Sequence, residues 1–349
     1  MKIIDVQAVR PHTIECNYAI AQVTTDEGII GEGGLDEFGS DVVNAFKPVL
    51  IGQDPSRIAW LCERLKEDYS YGQHQGVMPA ISAVESALWD IAGKAARVPT
   101  YVLLGGKYRD KIRVCQVIKE TNRNSLVERS KRLAEDGYTA LQAVPLPQGW
   151  GTLPWTEVIH ETAKTVEAIR KAVGDDMDIA LDLQGSANSP KSAAEMITAL
   201  SYFQPMFVED ALGTDDVSTL SQLQDRSTVP LSTGGNISSF PDFVKLINSR
   251  ATDIVRLDLS LCGGILEAKK IIAVAEASYV TIALRNQPNP FSIASILHLS
   301  AATPNLAIME FDADGSVVPL VHSAEKPTDG YLPLPSRPGL GIYLGYTLR

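Results

Sequence analysis

Five short apolar runs between residues 179 and 285 each end in a polar or glycine residue. The final residues recur every 23 to 27 positions, and stretches with helical periodicity separate the runs. An unbroken apolar run is typical of a strand that is buried on both faces, as in a parallel sheet. The pattern therefore predicts repeated strand–helix units. The runs are Ile179–Asp182, Met206–Glu209, Pro230–Gly235, Ile254–Asp258 and Thr281–Arg285.

The same rhythm extends in both directions along the chain. The pattern predicts eight strands, at 112–117, 140–143, 179–182, 206–209, 231–233, 254–258, 281–284 and 307–310. Helical stretches separate them, for example at 126–136, 155–173 and 266–277. Eight strands with helical crossovers favour a closed parallel barrel of the (β/α)₈ type, here (β/α)₇β, over an open sheet. In such a barrel the C-terminal strand ends surround the active site.

The first part of the chain has a different pattern. Residues 2–35 predict a meander of strands, and residues 40–66 predict helices interrupted at 52–55. A helix is predicted at 79–96 from apolar residues at spacings of three and four. We therefore expect an α+β capping domain at 1–111 and the barrel at 112–322. The proline-containing segment 323–349 is expected to return to the capping domain.

Composition excludes several classes of protein. The net charge is −11, which disfavours binding to nucleic acid or to anionic membranes. The chain has no apolar run long enough to span a membrane, and its beginning lacks the apolar core of a signal peptide. The four cysteines are far apart, which argues against a disulfide framework or a metal–thiolate site. A cytoplasmic enzyme-like protein is expected.

Several motifs resemble one family. They are Thr24–Gly31 in the first hairpin, Ala87–Lys94 with Leu103–Gly106, and Gly263–Ile265 after the sixth predicted strand. In combination they resemble the enolase superfamily in its mandelate racemase/muconate lactonizing enzyme branch. Leu181–Gly185 and the ending 326–341 are most similar to D-galactonate dehydratases, which act on acid sugars.

The resemblance implies a reaction and a metal. Members of this type remove the proton α to a carboxylate, and Mg²⁺ held by three carboxylates stabilises the resulting charge. Asp182 matches the first ligand and Glu209 the second. The third position is Gly235, which has no side chain, so the resemblance implies a weakened Mg²⁺ site.

The acid–base positions also depart from the family pattern. Asp258 matches the aspartate of a His–Asp dyad, but the histidine position holds Arg285, which cannot act as a base near neutral pH. Gln184 stands where the acid histidine is expected. Glu310 matches a carboxylate that hydrogen-bonds the substrate. Arg285 is expected to replace part of the metal's charge by pairing with Asp258 or Glu310.

These departures leave three hypotheses open. The first is a homo-oligomeric relative of the acid-sugar dehydratases that binds a small carboxylate or sugar acid, with weak or absent family activity. The second is an active lyase that uses substitute residues such as His74 or Tyr71. The third is a non-catalytic binding or regulatory protein. His298 is expected to be structural. Asp210 and Glu209 are expected to face opposite ways, as neighbours on a strand do.

Overall fold

The first described elements are a sheet and helices that form a cap. The computed structural model describes residues 1–10, 18–36, 39–69, 76–214, 216–285, 289–312, 321–322 and 327–344. Within these residues, three antiparallel strands in the order β1–β2–β3 precede five helices, which confirms the predicted α+β cap. The elements are β1 (Ile3–Val9), β2 (Tyr18–Thr25), β3 (Ile30–Asp36), α1 (Ser40–Ala45), α2 (Lys47–Leu50), α3 (Ile58–Tyr69), α4 (Val77–Ala96) and α5 (Thr100–Leu103).

Helix α4 lies directly against strand β3 because two glycines of the strand have no side chain. A Cβ atom at Gly33 would lie 1.9 Å from the carbonyl oxygen of Ala83. One at Gly31 would lie 2.0 Å from the carbonyl oxygen of Ala87. Ala83 and Ala87 are one helical turn apart on the same face of α4. Small residues on both elements therefore allow the close approach on which the core of the cap is built.

Eight parallel strands in the described part of the chain close into a barrel. Strand β4 pairs with β5 on one side and with β11 on the other, so the sheet has no free edge. Every predicted strand matches an observed one to within one residue at each end, which confirms the predicted barrel. The strands are β4 (Lys111–Val117), β5 (Ala140–Ala143), β6 (Asp178–Asp182), β7 (Phe207–Glu209), β8 (Leu231–Thr233), β9 (Ile254–Asp258), β10 (Thr281–Arg285) and β11 (Leu306–Phe311).

Helices surround the barrel and begin at capping residues. Ser189 and Ser239 each accept a hydrogen bond at Oγ from a backbone N–H three residues later, at 3.2 Å, and a proline follows within the first turn. None of the described helices combines the length and apolar character needed to cross a membrane. The barrel helices are α6 (Arg123–Glu135), α7 (Trp155–Val173), α8 (Pro190–Ser201), α9 (Val217–Gln224), α10 (Phe240–Asn248), α11 (Leu259–Cys262), α12 (Ile265–Ala277) and α13 (Pro290–Ala301); a 3₁₀ helix spans Trp150–Thr152.

Two layers of side chains fill the barrel interior. The lower layer, the floor, is apolar and buried. Since side chains alternate along a strand, the residue two positions after each floor residue also faces inward, one layer nearer the C-terminal strand ends. We call this second set the mouth layer. The floor is Cys115, Ala140, Ala180, Phe207, Ile254, Ala283 and Ile308. The mouth layer is Val117, Gln142, Asp182, Glu209, Arg256, Arg285 and Glu310.

The last described segment contacts both the barrel and the cap. Strand β13 (Tyr331–Pro333) pairs antiparallel with the first residues of β4. The backbone N–H of Leu340 then donates to Asp90 Oδ1 in α4 at 2.8 Å, and Asp90 also pairs with Lys94 at 2.6 Å. Two short strands, β12 (Val321–His322) and β14 (Tyr343–Leu344), pair with each other. The segment thus connects the two parts of the fold.

Candidate functional site

The mouth layer lines an open cavity at the C-terminal ends of the barrel strands. The cavity has a volume of about 520 Å³. Loops that follow the strands complete its wall, including Gln184, Asp210 and Gly235. Four carboxylates and two guanidinium groups face this space: Asp182, Glu209, Asp210, Glu310, Arg256 and Arg285. The site is therefore strongly charged and predominantly polar.

A buried arginine lies at the centre of the site. Arg256 is 1% exposed, and its Nε donates to Glu209 Oε1 at 3.0 Å while its Nη2 donates to Glu310 Oε2. Burial lowers the pKa of Arg256, but the charges of Glu209 and Glu310 outweigh burial and raise it above its ordinary value. The guanidinium is thus a permanent cation held between two carboxylates.

Both oxygens of Glu209 are occupied. Gln142 Nε2 donates to Glu209 Oε2 at 2.6 Å, opposite the oxygen that Arg256 contacts. An ionised carboxylate only accepts hydrogen bonds, so this contact fixes which way the Gln142 amide points. Two buried polar atoms of the same group, Gln142 Oε1 and Arg256 Nη1, have no hydrogen-bond partner among the described residues.

Two further carboxylates face the cavity beside Glu209. Asp182 Oδ1 accepts a hydrogen bond from the backbone N–H of Gln184 at 2.8 Å. Burial, followed by the charge of Glu209, raises the pKa of Asp182 to about 7. Asp210 Oδ1 accepts from Thr233 Oγ1 at 2.7 Å, and burial and Glu209 also raise its pKa.

The structure corrects the expectation that Glu209 and Asp210 face opposite ways. Strand β7 ends at Glu209, and the backbone of Asp210 has a positive φ of 44°. The alternation of side chains applies only within the extended strand. The turn at Asp210 therefore places both carboxylates along the same cavity.

Gly235 and Arg285 lie next to each other. Arg285 Nη1 is 3.4 Å from the carbonyl oxygen of Gly235, to which it donates. A Cβ atom at Gly235 would lie 3.3 Å from Arg285 Nη1 and 3.9 Å from Arg256 Cβ. The position that would carry a third metal ligand is thus flanked by two arginines.

Asp258 is not among the cavity-lining residues. Its Oδ1 accepts hydrogen bonds from the backbone N–H groups of Ser260 and Leu261, at 2.9 and 3.3 Å. Asp258 therefore caps helix α11, four residues beyond the floor residue Ile254. The pairing with Glu310 that was expected of Arg285 is made by Arg256.

The structure brings together most of the predicted site residues and adds others. Asp182, Gln184, Glu209, Arg285 and Glu310 all line the cavity. Arg256 and Asp210 were missed, and Gln142 was not assigned a role. The alternation of side chains along a strand could have identified Arg256. It lies two residues before Asp258, so it faces the same side of a strand whose inward face was already predicted.

The histidines do not contribute to the described part of the site. His298 is buried in α13, where its Nδ1 accepts from the backbone N–H of Tyr101 at 3.0 Å, and burial lowers its pKa to about 4. His74 and Tyr71, considered as substitute acids or bases, lie outside the described residues. Across the described ranges, no group of three His, Cys, Asp or Glu side chains is arranged to hold a metal ion.

The barrel, the cap and the charged mouth layer define the class of protein. Residues 4–105 match the N-terminal domain of the mandelate racemase/muconate lactonizing enzyme family, and residues 125–345 match the family described as enolase C-terminal domain-like. The chain belongs to the enolase superfamily, whose members generally bind Mg²⁺. This confirms the resemblance drawn from the sequence motifs.

Within this superfamily the chain is similar to acid-sugar dehydratases. It is 32% identical to a D-xylonate dehydratase of Haloferax volcanii, over 98% of this chain and 87% of the relative. It is 30% identical to a D-galactonate dehydratase of Pectobacterium atrosepticum, over 94% of this chain and 88% of the relative. Among solved structures, it is similar to an enolase from Agrobacterium radiobacter bound to sodium and L-malate. That match has a TM-score of 0.89 and 29% identity, and covers 99% of this chain and 93% of the other.

Proposed function

We propose that the barrel mouth binds a sugar acid, a small carboxylate that carries several hydroxyl groups, and that the dehydration of such acids is weak or absent in this protein. The observation that carries the proposal is the buried Arg256 held between Glu209 and Glu310. Its guanidinium lines the cavity and keeps one donor atom, Nη1, without a hydrogen-bond partner among the described residues. The named activities of the relatives, on D-xylonate and D-galactonate, point to the same class of ligand.

The chemistry of the cavity wall supports a polyhydroxylated ligand. Carboxylate oxygens accept hydrogen bonds, so Asp182 and Asp210 suit the hydroxyl groups of a sugar acid. Arginine suits its carboxylate, because the guanidinium presents N–H groups in a planar fork. A carboxylic acid without hydroxyl groups would donate no hydrogen bond to Asp182 or Asp210. The wall therefore favours a sugar acid over an unsubstituted carboxylic acid.

The acid–base positions support a weak or absent reaction. Removal of an α-proton requires a base, and Arg285 stands where the resemblance places a histidine. Gln184 stands where the resemblance places the acid, and an amide side chain does not transfer protons near neutral pH. Loss of a general base costs about 10²–10⁴ in rate.

Binding and turnover can be measured separately. Isothermal titration calorimetry with D-galactonate, D-xylonate and L-malate tests binding, and NMR in D₂O tests whether the α-proton exchanges or a dehydrated keto acid forms. We expect heat of binding for at least one sugar acid, with α-proton exchange slow or undetectable. Rapid dehydration of a bound sugar acid would contradict the proposal and favour the active lyase.

A matched pair of variants locates the binding site. Asp182→Asn replaces one carboxyl group of the cavity with an amide, whereas Asp176→Asn makes the same chemical change at an exposed position away from it. Loss of a hydrogen bond to a charged group weakens binding by about tenfold or more. We expect this weakening for Asp182→Asn only; equal affinities of the two variants would show that the ligand does not contact Asp182.

A further inference from the structure

The mouth layer holds its own positive charge at the place where the family resemblance implies a metal ion. Arg256 contacts Glu209, the residue that matches the second metal ligand, and Glu310 on the neighbouring side. The resemblance implies a glutamate at position 235 and a divalent ion. Gly235 removes one negative charge that the resemblance implies, and the guanidinium of Arg256 provides a positive charge in contact with Glu209. Both features make the group less negative, as a bound divalent ion would.

We infer that Arg256 replaces the divalent ion of the family, so that guanidinium groups bind the ligand's carboxylate directly and binding requires no metal. This inference rests on the proposed function, because it concerns how the same cavity binds a sugar acid. It assigns a specificity role to a residue that the sequence motifs do not single out.

The donor set at the mouth does not fit Mg²⁺. Mg²⁺ requires oxygen ligands in near-octahedral geometry. Both oxygens of Glu209 already accept hydrogen bonds, one of them from a cation, and Gly235 provides no side-chain oxygen. A guanidinium in direct contact with Glu209 would also repel a divalent ion. Three positions match the metal ligands of the family. Among the described residues, only Asp182 of these three has a carboxylate oxygen that accepts no hydrogen bond.

The unpartnered atoms of the site fit a hydroxy acid instead. Buried polar groups are rarely left without a partner, and those that are require an explanation such as a ligand or a water. Arg256 Nη1 is a donor and Gln142 Oε1 an acceptor, and both are buried without a partner among the described residues. A carboxylate satisfies the donor and a hydroxyl satisfies the acceptor. Glu209 holds both side chains, one at each oxygen, and thereby fixes their relative position.

Gly235 leaves room for the second arginine. A side chain at this position would begin 3.3 Å from Arg285 Nη1, so the end of the Arg285 side chain would have to shift by a few tenths of an ångström. The absence of a side chain therefore leaves Arg285 at the cavity wall, where it adds a second guanidinium for the ligand's carboxylate. The backbone φ of Gly235 is not in the left-handed region, so Gly235→Glu is conformationally allowed.

The wild-type protein provides the decisive test. Titration calorimetry with D-galactonate and D-xylonate is carried out in excess EDTA and, separately, in millimolar MgCl₂. We expect the affinities in the two conditions to agree within about twofold. Binding that appears only with MgCl₂ would overturn the inference and leave the proposed function intact. The absence of binding in both conditions would overturn the proposed function together with the inference.

Two variants test the roles of the residues. Arg256→Gln is expected to weaken sugar-acid binding by about ten- to a hundredfold, the value of a lost hydrogen bond to a charged group. The double variant Gly235→Glu, Arg256→Gln restores the third carboxylate and removes the guanidinium that contacts Glu209. It is expected to gain a thermal stabilisation by MgCl₂ that the wild type lacks. A wild type that MgCl₂ stabilises would contradict the inference, and this measurement does not depend on the folding of either variant.

Discussion

The positive charge of Arg256 offsets the repulsion between two buried carboxylates. Glu209 and Glu310 both contact its guanidinium, and their side chains are only 6% and 12% exposed. Charges taken out of water require a partner, and removal of one partner leaves the others uncompensated. At the scale of the residue, Arg256 therefore contributes to the folded state as well as to the proposed ligand site.

Replacement of this arginine should destabilise the protein. Arg256→Met keeps much of the side-chain volume but removes the charge, and we expect a loss of about 3–5 kcal/mol in the free energy of unfolding. Urea denaturation at neutral pH measures it. The triple variant Arg256→Met, Glu209→Gln, Glu310→Gln removes the unpaired charges and should recover most of the loss. An unchanged urea midpoint for Arg256→Met would show that the three groups are not coupled.

Glu85 is a buried carboxyl where the cap contacts the barrel. Its Oε1 accepts hydrogen bonds from the backbone N–H of Leu266 at 2.8 Å and from Trp89 Nε1 at 3.0 Å. Its Oε2 has no partner among the described residues. A Cβ atom at Gly264 would lie 1.5 Å from that oxygen, so only glycine fits there. Burial is the main cause that raises the pKa of Glu85 from 4.5 to about 7.

The raised pKa predicts a pH dependence of stability. Between pH 4.5 and about 7 the folded protein retains a proton that the unfolded chain has lost, so the contribution of Glu85 to stability decreases as the pH rises. Glu85→Gln removes this dependence and keeps an oxygen for both hydrogen bonds. Relative to the wild type, the variant should gain about 3 kcal/mol above neutral pH and little below pH 4.5. Urea denaturation across this range measures the difference, with the exposed Glu135→Gln as a control that should show none.

At the scale of elements, the packing of α4 on β3 limits which substitutions the cap tolerates. A methyl group at Gly33 would collide with the backbone of α4, and backbone cannot move as a flexible side chain does. We expect Gly33→Ala to lower the free energy of unfolding by about 1–3 kcal/mol or more.

A matched glycine separates packing from a general effect of alanine. Gly151, in the 3₁₀ helix Trp150–Thr152, has no positive φ, and nothing lies within 4 Å of the position that an alanine methyl group would occupy there. Gly151→Ala should therefore leave the thermal unfolding temperature nearly unchanged, whereas Gly33→Ala should lower it. Equal unfolding temperatures for the two variants would show that α4 and β3 are not held at this separation in solution.

The barrel elements could be predicted because their signal is local. Each strand is a short apolar run between helical segments, and burial on both faces leaves little alternative. The same local rule predicted that strand ends meet at the mouth, where Asp182, Glu209 and Arg285 line the cavity. Glu310 was assigned through the family resemblance. The positions of the barrel strands thus follow from the hydrophobic pattern of the sequence alone.

The interior contacts could not be predicted in the same way. Arg256 lies within a strand and not at its end, and its partners are 47 and 54 residues away in sequence. Asp210 turns towards the cavity through a backbone conformation that no residue type dictates. Asp258 has the expected sequence position but is used as a helix cap. The pairing of these polar groups depends on how the closed barrel brings distant strands together.

At the scale of the whole molecule, the barrel collects charged residues from separate strands at one cavity. Barrel strands from distant parts of the sequence bring four carboxylates and two arginines to one cavity, while the last segment joins the barrel to the cap through Leu340 and Asp90. The superfamily scaffold is retained, and we propose that the mouth layer determines what it binds. The central claim is therefore about that layer: a guanidinium takes the place of a metal.

A crystal structure grown with both MgCl₂ and D-galactonate tests this claim most directly. We predict electron density for the ligand's carboxylate against Arg256 Nη1 and Arg285, with hydroxyls near Asp182 and Asp210 and no ion at the mouth. A well-ordered divalent ion bridging Asp182 and Glu209, with Arg256 displaced from Glu209, would contradict the account.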